Sequence, residues 1–320
     1  MSEGNTVSNV SKQKYRLVTR SDFDGLVCAV LLSELEMIDD ILFVHPKDMQ
    51  DGKIEITERD ITTNLPYVPG AHLVFDHHES EALRNAARRD DNHIIEVHAP
   101  SAARVVYNHY GGKPTFPRIT DELMAAVDQA DSAQYSREDI LEPKNWVLLN
   151  YLMDARTGLG RFRDFRISNY TLMMELIESC ATASITEILA LPDVQERVDL
   201  YYAQEAKAKA QILDCAYQIG NLVVLDLRPE EIIWAANRFL IYALFPTANI
   251  SLHIIWGLKQ QNTVLACGKS ILDRSSQTHV GNMMLEFGGG GHAAAGTCQI
   301  ANEKADDMLK TLIERINLDG

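Results

Sequence analysis

Along the first hundred residues, short apolar runs alternate with segments patterned for helices, and this alternation constrains the fold more than any other feature. The runs YRLVT (Tyr15 to Thr19), ILFVH (from Ile41), AHLVF (from Ala71) and HIIEV (from His93) have the length and composition of strands. Between or after them, GLVCAVLLSELEM, SEALRNAARR and SAARVVYNHY carry helical spacing. Strands separated by helices can join one sheet only through crossovers, which makes the sheet parallel. In an open parallel sheet the ligand crevice lies outside the carboxyl ends of the strands. Both SDFDG and DHHES begin immediately after strand-like runs, so two acidic clusters are expected to converge on one edge.

Beyond Thr120 the pattern becomes mostly helical, with Thr120 placed to cap TDELMAAVDQADSAQY. The stretch LPDVQERVDLYYAQEAKAKAQILDCAYQIG reads as one long charged helix ending at Gly220. After it NLVVLDLR, ISLHIIWGL and TVLACGKS look like strands. EEIIWAANRFLIYALF, THVGNMMLEF and the tail NEKADDMLKTLIERI look like helices. A chain of 320 residues exceeds what one core usually organises. The expected fold is therefore α/β: a disordered segment over 1–13, a parallel-sheet domain over 14–195, a helical connector over 196–220 and a smaller α/β domain over 221–320. No internal repeat is evident.

A net charge of −15 disfavours a sequence-independent surface for long duplex nucleic acid, because such binding uses many Lys and Arg side chains to neutralise phosphates. An anionic substrate would need bound cations to offset the protein's own charge, which favours short phosphate compounds. The five cysteines are widely spaced and form no C-x-x-C pair, so a disulfide framework or thiolate zinc site is not expected. The opening MSEGNTVSNVSKQ carries no apolar run, and no stretch of about 18 apolar residues follows. Cytoplasmic location without membrane insertion is the expectation.

Asp22 and Asp24 are spaced D-x-D on a loop leaving a strand, where two carboxylates can face one cation and Gly25 allows a tight turn. Taken alone, SDFDG fits a turn and helix cap equally well. Asp76, His77 and His78 put carboxylate and imidazole at another strand end, a donor set suited to a first-row divalent ion. All three can serve one site only if the strand has ended, since neighbours on an extended segment point oppositely. Asp131 in QADSAQY is a further candidate, and Asp128, one turn earlier on the same face, competes with it. In EFGGGGHAAAG, four consecutive glycines lose conformational entropy without packing return, as a loop approaching an anion through its backbone would. Upstream, Lys269, Ser270 and Arg274 add donors suited to phosphate, Arg274 with a bidentate fork. The other histidines show no ligand spacing, and Tyr201, Tyr202, Trp234 and Trp256 read as packing residues.

DFDG after the first strand, FDHH after a later one, an ADS segment and a C-terminal GGGGHAAAG together resemble the DHH phosphoesterase superfamily with its DHH-associated C-terminal domain. The match spans most of the chain and points to the branch of nanoRNases and exopolyphosphatase-like phosphodiesterases. The resemblance implies a Mn²⁺ site, with Mg²⁺ or Co²⁺ as substitutes, holding one or two ions. Asp22, Asp24, His77, Asp131 and Asp76 are then metal ligands, and Asp76, His77 and His78 the catalytic run. Arg274, Ser270, Gly289, Gly290, Gly291 and His292 are substrate binders.

Two positions depart from the family pattern. Many relatives place a His shortly before D-x-D, where this chain has Val18, Thr19 and Arg20. Relatives also carry a metal-bridging Asp where this chain offers Asn64, with Asp60 nearby as the alternative. The resemblance implies hydrolysis of di- or oligoribonucleotides, such as linear breakdown products of cyclic dinucleotides, to mononucleotides. A phosphoanhydride hydrolase such as an exopolyphosphatase and a nucleotide-binding sensor remain the alternatives. Apolar helical faces leave room for a homodimer.

Overall fold

The computed structural model describes residues 13–85, 91–162 and 164–320. Residues 1–12, expected to be disordered, and the end of the SEALRNAARR segment lie outside the described residues. The chain divides into two compact units: the described residues up to Ser132 together with Ile167–Leu191, and Ala133–Arg166 together with Pro192–Gly320.

The first unit begins with β1 (Tyr15–Arg20), α1 (Phe23–Glu34), β2 (Ile38–Val44), α2 (Pro46–Gln50), β3 (Asp60–Thr63), β4 (Leu73–Asp76), α3 (Glu79–Arg84), β5 (His93–Ile95), α4 (Ala102–His109) and α5 (Asp121–Asp131). Two helices of the other unit follow, α6 (Arg137–Leu141) and α7 (Asn145–Met153), before α8 (Asn169–Thr182) and α9 (Ile185–Leu189) complete the first. The five strands are all parallel, in the order β2-β1-β3-β4-β5. The chain leaves β1 on one side for β2 and returns on the other for β3, so the topological switch point lies between β1 and β3. Ligand sites of open α/β sheets form at the carboxyl ends of such a pair.

Helix α1 is buried from Phe23 to Leu32, packed among α4, α5 and α8. That is why GLVCAVLL is apolar all round rather than striped. It leaves β1 so sharply that a Cβ on Gly25 would stand 2.0 Å from the Arg20 carbonyl oxygen. Only glycine fits there.

The second unit continues with α10 (Pro192–Cys215), β6 (Ala216–Ile219), β7 (Leu222–Asp226), α11 (Leu240–Leu244), β8 (Ile250–Trp256), β9 (Thr263–Lys269), α12 (Val280–Glu286), β10 (Gly290–Gly291), β11 (Ala295–Ile300) and α13 (Ala305–Asp319). Its six strands run β10-β11-β9-β8-β7-β6, antiparallel except for β7 with β8. Leu222, Val224, Ile250, Leu252 and Leu265 form a core with Val280 and Met284 of α12 and Leu312 and Ile316 of α13.

Two sequence expectations change here. AYQIG does not prolong the long helix: Gly220 adopts a φ of 59°, the chain turns, and AYQI becomes β6 against β7. EEIIWAANRFLIYALF is helical only over α11, because tertiary contacts capture its backbone. The Gln211 and Gln204 side chains of α10 accept from the Trp234 and Ala235 amides, and Asn237 accepts from the Phe239 amide. Among the described residues no helix is long and apolar enough to cross a membrane.

Candidate functional site

Each carboxylate at the switch-point edge owes its place to a strand or helix end. Asp22 N-caps α1, its Oδ1 accepting from the Gly25 amide at 3.0 Å. Its Oδ2 lies 2.8 Å from Arg20 Nε, and Asn64 Nδ2 donates to Oδ1 at 3.3 Å. Asp24, two residues on, is 2 % exposed. A buried carboxylate needs donors, and Asp24 finds them at the start of α4, where the Ala102 and Ala103 amides donate at 3.0 and 2.8 Å.

Asp76 ends β4, and β-geometry ends with it, as a three-residue cluster requires. Its Oδ1 accepts from the His77 amide at 2.8 Å and from His78 Nδ1 at 2.7 Å. His77 Nδ1 lies 3.1 Å from the Ala99 carbonyl oxygen. A carbonyl can only accept, so Nδ1 carries the proton and Nε2 is left for the site. The carboxylate of Asp76 fixes His78 in the same tautomer.

Asp131 closes the cluster from the end of α5, its Oδ2 3.0 Å from His77 Nε2. Asp128, its competitor, is committed elsewhere: Ser101 Oγ donates to it at 2.8 Å and Arg104 Nε at 2.9 Å, tying α5 to the cap of α4.

Two groups of donor atoms result, Asp24-His77-Asp131 and Asp76-His77-His78, each with ligand atoms within 4.8 Å of one another. Octahedral ligands at about 2.1 Å from a cation stand about 3 Å apart, which matches the His77–Asp131 separation. Asp76 Oδ2 and Asn64 Oδ1 are buried without a hydrogen-bond partner. Unsatisfied buried acceptors on adjoining strand ends are costly unless something positive completes them. The donor set fits a divalent cation.

The electrostatics agree. Burial and the nearby Asp131 carboxylate raise Asp24 to about 8, against the pull of His77. Burial opposes charge on His77, but Asp131 and Asp24 outweigh it and raise the ring to about 9. His78 is likewise raised by Asp76 against its burial. Burial opposes charge on Asp131, but the hydrogen bond and charge of His77, with His78 and Arg20, together lower it. Without a cation Asp24 and His77 hold protons in its place, and a bound cation would exchange them for positive charge facing a phosphate. Cys28, one turn past Asp24, is fully buried with its thiol pushed up by burial, which leaves it unreactive.

Asp60 is not the partner of this cluster. It begins β3 at the opposite end from Asn64, about 13 Å away at strand rise, and is held by Arg16 at 2.6 Å and the Thr57 amide at 2.7 Å. A cleft of about 330 Å³ lined by Arg16, Asp40, Glu55, Thr57, Arg59 and Asp60 opens at that end. Its arginines are already paired, Arg16 with Asp60 and Arg59 with Asp39. Asn64 itself is 1 % exposed and adopts a φ of 53°.

In the second unit, the glycine run folds back as a hairpin: Gly290 and Gly291 form β10 against Thr297 and Gly296. A Cβ on Gly289 would meet the Thr297 carbonyl oxygen at 2.1 Å, so close backbone approach explains the glycine. The amides of Gly288, Gly289 and His292 are spent on Leu285, Met284 and Ala295 carbonyls. His292 and Ala293 carbonyls in turn accept from the Gly281 and Val280 amides at the start of α12. Gly281, which sequence spacing did not single out, is required by that contact, since its Cβ would stand 2.6 Å from the Gly291 oxygen. Ser270 is buried, its hydroxyl accepting from the Leu272 and Asp273 amides to build a turn. Exposed Arg274 follows that turn, donating to the Ile271 and Ala133 carbonyls. Lys269 reaches the Ser276 carbonyl.

Comparison with solved structures places this geometry among known proteins. The pGpG-specific phosphodiesterase PggH of Vibrio cholerae is 64% identical, covering 96% of this chain and 100% of its own, with a TM-score of 0.85. RecJ of Thermus thermophilus in complex with Mn²⁺ is 15% identical over 96% of this chain and 52% of its own, TM-score 0.50. CDC45 of Entamoeba histolytica is 8% identical over 95% of each chain, TM-score 0.50. The last two share the fold. No protein-family model and no curated protein matches the chain.

Proposed function

The chain belongs to the DHH phosphoesterase superfamily, and from that premise we propose that it is a metal-dependent phosphodiesterase cleaving pGpG and similar short linear dinucleotides to mononucleotides. The observation that carries the reading is the 64% identity, end to end, with a pGpG-specific phosphodiesterase. The switch-point cluster supports it independently, since its donors suit a cation and its position suits a phosphate ligand.

Asp24, His77 and Asp131 would hold a divalent cation, with Asp76 completing the set through its unpartnered Oδ2. Mn²⁺ is the preferred ion, and Mg²⁺ or Co²⁺ its substitutes. Such a cation supplies a Lewis acid for a phosphoryl oxygen and lowers the pKa of an attacking water. The α4 amides fix Asp24, and Ala99 fixes the ring of His77, so the ligands need little rearrangement. His78, whose pKa Asp76 raises against the ring's burial, would as an imidazolium keep Nδ1–H on Asp76 and donate from Nε2–H to the phosphate, stabilising negative charge as it develops. The first unit is thus the catalytic one. The second unit, which carries Arg274, His292 and the glycine hairpin, is the one we assign to substrate binding.

The test is a substrate panel: pGpG, a ten-nucleotide RNA and polyphosphate offered separately with Mn²⁺, products resolved by chromatography. Conversion of pGpG to mononucleotide in preference to the others is expected. Cleavage of polyphosphate with pGpG untouched would replace this reading by a phosphoanhydride hydrolase, and tight pGpG binding without turnover by a sensor.

A further inference from the structure

Asp22 is situated unlike the other three carboxylates. Its Oδ2 is held by Arg20, and its Oδ1 receives both the Gly25 amide and the Asn64 side-chain amide. A carboxylate offers about four lone-pair positions, so donors of this chain occupy most of them. Neither cluster of ligand atoms includes Asp22.

The donors are also of a kind that keeps a cation away. A guanidinium does not deprotonate in a protein. The Asn64 amide turns its positive end to Asp22, and reversing it would set two oxygens against each other, so the hydrogen-bond network fixes its orientation. That leaves Asn64 Oδ1 as a buried acceptor without a partner. Asn64 therefore divides the site: its nitrogen serves Asp22 and its oxygen is free for a neighbouring cation.

We propose that Arg20 is a built-in cation which, with the neutral amide of Asn64, fills the place of a second metal ion at Asp22, so that the switch-point site holds a single divalent cation. The inference rests on the metal reading of the cluster given above. Arg20 is a positioning residue: it keeps Asp22 as the cap of α1, and so holds Asp24 in register two residues later.

Ion content distinguishes the possibilities without reference to turnover. The full chain is loaded with Mn²⁺, freed of excess by gel filtration, and assayed by elemental analysis and electron paramagnetic resonance. Wild type is expected to retain one ion per chain with the spectrum of an isolated Mn²⁺. Arg20→Lys, which keeps the charge, stays at one. Arg20→Ala combined with Asn64→Asp, checked for folding by near-ultraviolet circular dichroism, takes up a second ion with an exchange-coupled spectrum. Two tightly held ions in wild type, or one ion in the folded double variant, overturns the proposal while leaving the metal reading intact. Wild type without any ion overturns both. Should the double variant not fold, Arg20→Ala alone decides: a second binding event in a Mn²⁺ titration supports the proposal, and its absence refutes it.

Discussion

Cation uptake by this protein is expected to be strongly coupled to proton release. In the cation-free cluster, burial and Asp131 hold Asp24 at about 8, while Asp131 and Asp24 lift His77 to about 9 against its burial. Both groups therefore carry a proton at pH 7. A cation needs the Asp24 carboxylate ionised and His77 Nε2 bare, so each ion bound at pH 7 displaces about two protons. The apparent affinity should then rise about 100-fold per pH unit below the Asp24 titration, about 10-fold between the two titrations, and level off above that of His77. Isothermal titration with Mn²⁺ in two buffers of different ionisation enthalpy counts the protons directly. A release near zero at pH 7, or an affinity flat from about pH 6.5 to about 9.5, would refute the assignment of Asp24 and His77 as ligands that compete with protons.

The same groups govern stability without a cation. Both folded values lie above the unfolded ones, so the folded state holds protons that the unfolded chain has lost, and stability declines as pH rises. Asp24 acts from about pH 4 to about 8 and His77 from about 6.5 to about 9. Denaturant unfolding of stripped protein should show the steepest decline between about pH 6.5 and about 8, and Mn²⁺ should remove most of it. Asp24→Ala orphans the Ala102 and Ala103 amides, for a loss of about 1–3 kcal/mol in the same assay, and should cost more activity than the about 100-fold typical of outer-shell partners. Gly25→Ala drives a methyl against the Arg20 carbonyl; a loss of about 1–3 kcal/mol with weakened Mn²⁺ binding is expected. Gly281→Ala presses on the Gly291 carbonyl and should raise KM for pGpG with Mn²⁺ binding unchanged, since the cation ligands lie in the other unit.

What the sequence discloses here is what local pattern controls. Asp22, Asp24 and Asp76-His77-His78 follow strand runs directly, and the β1-β3 switch point collects them as parallel-sheet topology requires. The partners that give those residues their chemistry are remote in sequence: Asp24 is fixed by amides 78 and 79 residues away. Asp131 and Asp128 share a helix face, and only the position of Arg104 shows which of them is already neutralised. The helix pattern over Glu230–Arg238 loses to side-chain capture by Gln204 and Gln211, a tertiary effect that propensity does not contain. Gly281 lacked a signal because its neighbour, the glycine hairpin, meets it only in the folded chain.

The central claim, metal-dependent cleavage of a linear dinucleotide at the switch-point cluster, is tested most directly by titrating Mn²⁺ into chelator-stripped protein with pGpG and following mononucleotide release. The account predicts no release before addition, restoration by the cation in wild type, and no restoration in folded Asp24→Ala. Full turnover by the stripped enzyme, or equal turnover by Asp24→Ala, would contradict it.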